Sequence, residues 1–161
     1  MYENNAFVKF DGITGESKAK GHEDWVGLQF FSFGIINSTA TDLNVQSFGS
    51  GKGILRQLAL NINYDKALVT LQQYAILGKH IATIEIDMLH AVGDKDPKIW
   101  AKYTLTNTYI TEISNGQPSD NSAVLAVRPQ KIKAGYTPAD YTGKPQAEVT
   151  WTWDLQLQTI E

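Results

Sequence analysis

Residues 54–90 read ILRQLALNINYDKALVTLQQYAILGKHIATIEIDMLH, and the apolar period changes twice along them. From Ile54 to Tyr64 the pattern alternates. Ile54, Leu58, Leu60, Ile62 and Tyr64 fall on one face, interrupted only by Arg56, while Gln57, Asn61 and Asn63 fall on the other. A period of two is that of a half-buried strand. From Asp65 the period lengthens, and Ala67, Leu68, Leu71, Tyr74 and Ala75 recur at helical spacing. Asp65 suits the N-cap, where its carboxylate can accept the first free N–H groups. Gly78 supplies a left-handed stop. Alternation returns from His80 to His90, with Ala82, Ile84, Ile86 and Met88 opposed to Thr83, Glu85 and Asp87. A single helix over about 65–77, set between strands and apolar on one side, must cover a sheet or a barrel end.

Strands extend outward on both sides of this stretch. Ala6–Phe10 reads as a strand closed by the turn Asp11-Gly12, and the polar segment 14–24 follows. Another strand runs from Trp25 to about Ile36. Its apolar phase flips at Phe30-Phe31, and a bulge would return both halves to one face. Residues 37–53 form an extended loop of 17 residues, longer than ordinary connections. Downstream, Trp100–Ile113 places Ala101, Tyr103, Leu105, Tyr109 and Ile113 on one face. Ala123–Val127 extends briefly, and Pro129 predicts an edge or a bend beyond it. Residues 135–143 are rich in turn formers. In the last run Ala147, Val149, Trp151, Trp153, Leu155 and Leu157 alternate with polar residues. Long strands without a βαβ rhythm predict a mainly β fold, two antiparallel sheets forming a small barrel-like sandwich in one domain spanning 1–161.

Composition narrows the functional classes. The chain is 42% apolar and 19% charged with a formal net charge of −3, which suits a folded domain with an uncharged polar surface. Arg56 and Arg128 are its only arginines. The scattered lysines make no phosphate-tracking stripe, so nucleic acid is not expected as a partner. Cysteine is absent, which removes disulfides, thiolate chemistry and cysteine-based zinc sites. The start Met1-Tyr2-Glu3-Asn4-Asn5 shows no signal-peptide pattern, and no run is long and apolar enough to insert in a membrane.

Catalytic and metal-binding candidates give way to plainer readings. His80 and His90 lie ten residues apart on one strand, roughly 33 Å at strand rise, and cannot share a metal. His22-Glu23-Asp24 are adjacent, which is no chelating spacing. Glu85 and Asp87 share a strand face about 7 Å apart, but paired acids at that spacing are common on wet faces, and an acidic stripe on a wet or channel-facing surface is expected. Gly49-Ser50-Gly51-Lys52-Gly53 lacks the phosphate-loop pattern, because Gln46 and Gly53 occupy the positions that need Gly and Ser or Thr. Trp25, Trp100, Trp151 and Trp153 could form a sugar or base platform, but Trp151 and Trp153 sit on an apolar face and favour core or interface packing. No enzyme, no cofactor and no metal site is expected.

An ordered set of short motifs spans the chain. Gly15-Glu16-Ser17 is followed by His22, Trp25 and Ser32-Phe33-Gly34. Then come the long loop, Tyr64-Asp65-Lys66, Gly78-Lys79-His80, Tyr136-Thr137-Pro138 and Thr152-Trp153-Asp154. In this order the sequence resembles the Hcp family, the haemolysin-coregulated tube proteins of bacterial type VI secretion. Phe33 stands where Trp is frequent in the family, and Thr152 where Gly is common. The resemblance implies a barrel-like fold of two sheets with one helix, assembly into homohexameric rings, and stacking of rings into a hollow tube. It also implies sheath and spike components and small effectors as partners, and passage from the bacterial cytoplasm through the secretion apparatus without a signal peptide.

Leu43, Val45 and Phe48, with Gly49 and Gly51, place apolar side chains at intervals in an otherwise polar loop. They are the expected ring-to-ring contact, since a loop's ordering cost of about 1–2 kcal/mol per residue is readily met on contact with a neighbour. The alternative is a monomeric or small-oligomer β-sandwich that binds carbohydrate or protein through Trp100 or Trp151.

Overall fold

The computed structural model describes residues 5–37, 53–92, 95–115 and 121–161. The change of period at Asp65 is realised as the sequence predicts. Strand β5 (Leu58–Asn63) buries Leu58, Leu60 and Ile62, and helix α1 (Lys66–Leu77) follows. Asp65 caps the helix, its side chain accepting from Ala67 N, and Gly78 ends it at φ 64°. Gly78 N and Lys79 N turn back to the carbonyls of Ala75 and Tyr74, which satisfies acceptors that the last turn leaves open. Ala67, Leu68 and Leu71 are buried, and the helix packs against strand β7 (Lys95–Asn115). Each fully buried leucine contributes about 1.5–3 kcal/mol.

The remaining strands are β1 (Ala6–Phe10), β2 (Val26–Ser32), β3 (Ile35–Asn37), β4 (Gly53–Leu55), β6 (Ile81–Val92), β7 (Lys95–Asn115), β8 (Ser122–Tyr136), β9 (Val149–Asp154) and β10 (Thr159–Ile160). All but β3 and β4 join one eight-stranded sheet in the order β10-β9-β8-β5-β2-β1-β6-β7, and β7 also pairs with β8. That extra pairing closes six strands into an antiparallel barrel and leaves β9–β10 as a branch. Closure removes the open edges that a flat sheet would expose. The interior is filled by Val8, Leu60, Ile62, Ile84, Ile86, Leu105, Leu125 and Ile132, each at 0% exposure. The mainly β fold with one flanking helix and a second, two-stranded sheet (β3–β4) agrees with the sequence reading.

One local expectation, the bulge, holds and several others need correction. The phase flip in β2 is a bulge, with the register to β5 shifting between Leu28 and Phe30. Val26, Leu28, Phe31 and Phe33 then face inward and Phe30 is left 56% exposed. The alternating run 54–64 is two strands, because β4 pairs with β3 while β5 pairs with β2 and β8. Ile54 and Tyr64 are therefore exposed. In β7 the phase changes at Asn107, whose φ is +48°, so Thr108 and Ile110 turn inward and Tyr109 outward. The partner strand bends with it, since Ile81 is buried and Ala82 exposed.

Pro129 does not end its strand. β8 runs on to Tyr136, because its neighbour on one side is β5 up to Val127 and β9 from Lys131. Pro129 falls in the gap between the two, where no ladder donor is required. The last alternating run is also shorter than expected. Asp154 Oδ1 accepts from the backbone N of Gln156 and Leu157, folding 155–158 into a turn that brings β10 back along β9.

Candidate assembly surfaces and the brace beneath them

The motif residues of the N-terminal third converge on one brace over the barrel's outer wall. Gly15 N donates to Asp24 O (2.7 Å), Ser17 N to Trp25 O (3.0 Å) and Asp24 N to Ser17 O (2.9 Å), so residues 15–25 form a narrow double-backed loop. Gly15 is required by close approach, because a Cβ there would lie 2.4 Å from Trp25 O and 2.7 Å from Trp25 C. The loop carries His22 onto β6, where its Nε2 meets Asp87 Oδ2 at 2.8 Å. The His22 ring stacks on Phe7 (4.9 Å, 19°) and receives Trp25 edge-on at 4.7 Å. Both members of the polar pair are buried, His22 at 7% and Asp87 at 3% exposure.

Asp87 was expected with Glu85 on a wet acidic face. Instead the 14–24 loop covers it, and only Glu85 remains on the open part of that face.

The other end of the brace grips the helix. Glu16 N donates to Asp65 Oδ2 (2.9 Å) while Ala67 N donates to Asp65 Oδ1 (2.9 Å). Lys66 N donates in turn to Glu16 Oε2 (3.3 Å). One carboxylate thus caps the helix and holds the loop. Asp65→Ala is expected to destabilise the protein by about 1–2 kcal/mol, the range for loss of a helix cap, read by urea denaturation; an unchanged midpoint would mean the cap is idle.

The remaining motif residues are also architectural. Gly34 O accepts Arg56 N (2.7 Å), and a Cβ on Gly34 would press to 3.1 Å from the Arg56 side chain. Trp153 is half-buried against the core, and Asp154 is buried, holding its turn with Lys131 Nζ 3.9 Å away. Gly15, Glu16, Ser17, His22, Trp25, Gly34, Trp153 and Asp154 are therefore placed as framework. Leu43, Val45, Phe48, Gly49 and Gly51 lie outside the described residues.

Two carboxylates are held below their usual range. Glu23 is lowered by hydrogen bonds from its own backbone N–H and that of Gly21. Asp140 is lowered by the Thr142 hydroxyl and then by the backbone N–H of Lys144. Both act at loop turns and neither faces a cleft. At opposite ends of β6, His80 lies tilted against Tyr109 (4.6 Å, 53°) and His90 stacks on Trp100 (5.2 Å, 18°). Among the described residues no cluster of three or more His, Cys, Asp or Glu side chains could hold a metal. Trp100 carries His90 on one ring face, and Trp151 and Trp153 pack on the core.

The outer wall has one broad polar face. Across β1, β6, β7, β8 and β9 the register aligns Lys9, Glu85, Thr104, Lys133 and Thr152 in a row. Flanking rows carry Thr83, Thr106 and Lys131 on one side and Lys102 and Thr150 on the other. Sequence reading foresaw polar strand faces but not which strands would align, because the closing β7–β8 pairing is a long-range event.

One family model, described as "Type VI secretion system effector, Hcp", matches residues 7–152. The chain belongs to the Hcp family of type VI secretion proteins. No curated protein matches the sequence. Among solved structures, one described as a type six secretion system protein superposes with a TM-score of 0.87 at 21% identity, covering 99% of this chain and 100% of the other. Hcp1 from Salmonella typhimurium gives 0.76 at 22% identity, with 97% of each chain covered. A type VI secretion system effector from Yersinia pestis gives 0.69 at 18%, covering 92% and 98%. Of the motif residues that carry the family pattern in this Hcp chain, Gly15, Glu16, Ser17, His22, Trp25 and Asp65 build the brace.

Proposed function

We propose that this Hcp chain is the ring-forming subunit of a type VI secretion tube, assembling as a homohexamer whose rings stack into a hollow filament. The observation that carries the reading beyond family membership is the five-strand polar face, on which threonines alternate with lysines and Glu85. Such a face holds water and offers passing proteins little apolar surface to adhere to, which suits the wall of a channel. On this reading Thr104, Lys133 and Thr152 look into the lumen, small effectors travel past them, and sheath and spike components meet the assembled tube. The protein leaves the cell as part of that tube. Among the described residues no helix is long and apolar enough to cross a membrane.

Light scattering on the purified protein is expected to give six times the 17.9 kDa chain mass, and electron microscopy to show rings. A monomer at high concentration would return the small binding-module reading. Within the tube, Leu43, Val45, Phe48, Gly49 and Gly51 are proposed as the ring-to-ring contact. Leu43→Asp with Val45→Asp is expected to leave rings intact in sedimentation while abolishing long filaments. Filaments of normal length, or loss of the rings themselves, would refute that contact.

A further inference from the structure

The turn that closes β1 holds an aspartate whose carboxyl group and following amide are both unengaged. Ile13 N donates to Phe10 O (3.0 Å), so Asp11 and Gly12 are the central residues of a β-turn. Gly12 has φ +76°, which fits the third residue of a type II turn. Asp11 is exposed, and its own backbone N donates to Thr83 O (2.9 Å). Among the described residues its carboxylate meets no donor or cation, and Gly12 N meets no acceptor. A Cβ on Gly12 would find nothing within 4 Å, so water reaches the amide from that side. A bond from Gly12 N to Asp11 Cγ would close a five-membered ring.

The other described aspartates lack one or both of these groups. After Asp24, Trp25 N is held by His22 O (3.3 Å), and after Asp154, Leu155 N is held by Gln130 O (2.8 Å). Asp65 caps the helix, and Lys66 N donates to Glu16 Oε2. Asp87 is buried on His22 within the β6 ladder. Asp96 is followed by Pro97, which has no N–H to lose. The Asp140 carboxylate accepts from Thr142 N, Thr142 Oγ1 and Lys144 N, which hold it in its ionised form. Asp-Gly occurs once in the sequence. With any other residue in second place, a Cβ would crowd the attacking nitrogen.

We propose that Asp11 is a site of spontaneous backbone isomerisation, with the chain's own Gly12 amide as the attacking group. Gly12 N bonds to Asp11 Cγ, and the carboxyl hydroxyl leaves with the amide proton as water, giving a succinimide. A second water opens the ring. Attack at Cγ restores the aspartate. Attack at the Asp11 main-chain carbonyl carbon breaks its bond to Gly12 N and leaves the chain running through Cγ. One water is lost and one regained, so the mass is unchanged and no oxidant or enzyme takes part. The β-linked product adds one carbon to the backbone between Phe10 and Ile13. Both of those residues are fixed in the core, at 1% and 7% exposure, so the turn cannot widen by moving its ends. The Ile13 N to Phe10 O and Asp11 N to Thr83 O bonds must give instead. Gly15 lies just beyond, at a point with no spare room, so the modified turn loosens the entrance to the brace. The site belongs to the single chain and stands whether or not rings form.

The tryptic peptide 10–18 contains no other aspartate and no asparagine, so its chemistry reports on Asp11 alone. Folded protein is kept warm for days in mildly acidic buffer, digested and separated by reversed-phase chromatography with mass spectrometry. Peptide 10–18 is expected to split into two species of equal mass, the new one giving the electron-transfer fragments of a β-linked residue, while Asp24, Asp140 and Asp154 stay α-linked. Asp11→Glu, whose ring closure needs six members, is expected to stay single. Asp11→Asn, which loses ammonia in place of water, is expected to react faster. The warmed parent should unfold at a lower urea concentration than fresh protein, and Asp11→Glu should keep its midpoint through the same treatment. A 10–18 peptide that stays single in the folded protein but splits in urea would show that the turn protects Asp11, and overturns the site. Equal splitting at Asp24 or Asp154 overturns it too. An unchanged urea midpoint after extensive conversion overturns the link to the brace.

Discussion

His22→Ala is expected to destabilise the protein by about 3–5 kcal/mol, the usual cost of removing one partner from a buried charged or polar pair. For a chain of this length that is a fall in melting temperature on the order of 10 °C. Asp87 is 3% exposed, its Oδ1 makes no hydrogen bond, and the next cation, Lys102 Nζ, stands 4.0 Å away. Without the imidazole, the carboxyl group remains in the wall with no donor at hydrogen-bond distance. The variant also loses the stack on Phe7 and the edge contact with Trp25. The pair is only half satisfied, since His22 Nδ1 also lacks a partner. Its polar character therefore adds little that an apolar pair could not supply. His22→Leu combined with Asp87→Leu should cost less than the sum of the single changes, by about 1–3 kcal/mol of coupling. Urea denaturation of the four proteins closes the cycle. A His22→Ala midpoint within about 0.5 kcal/mol of the parent, the range of neutral surface changes, would show that the loop holds without its histidine.

That pair marks where sequence reading stopped. The period changes around Asp65 placed the helix, its cap and its glycine stop to within a residue, because those signals are local. The bulge in β2 was legible as a phase flip between Phe30 and Phe31. Asp87 was misjudged because alternation reports which face a side chain takes and says nothing of what later lies on that face. The covering loop arrives from 65 residues away in sequence. Pro129 was misjudged for a related reason. A proline excludes a ladder bond on one side, and only the topology shows that β8 changes neighbours at that point. The motif residues were recognised as a set, yet their roles as caps, close approaches and turn holders required the folded geometry. The aligned polar face depends on strand register, which a single strand's pattern leaves open.

Gly15→Ala isolates the brace without touching any polar group. The change adds one methyl group, but that methyl would sit 2.4 Å from Trp25 O, 2.7 Å from Trp25 C and 2.8 Å from Val26 Cγ2. Two of the three obstacles are backbone, held by the Ser17 N to Trp25 O bond and by the entry into β2, so no side-chain rotation can relieve the clash. The loop must lift, stretching the Gly15 N to Asp24 O bond and drawing His22 away from Asp87. The expected loss is about 3 kcal/mol, at the upper end for overpacking. It should appear with altered Trp25 fluorescence and faster proteolysis within residues 16–24. Gly53→Ala provides the contrast, because its nearest neighbour would be 3.7 Å away at ordinary contact, and its cost should stay within about 0.5 kcal/mol. Equal effects at the two positions would mean that loss of glycine itself matters, and the packed loop would no longer explain why Gly15 stands at the head of the motif. A large effect at Gly15 alone ties the Gly-Glu-Ser signature to one requirement: a backbone that passes close enough to Trp25 to set His22 on the barrel wall.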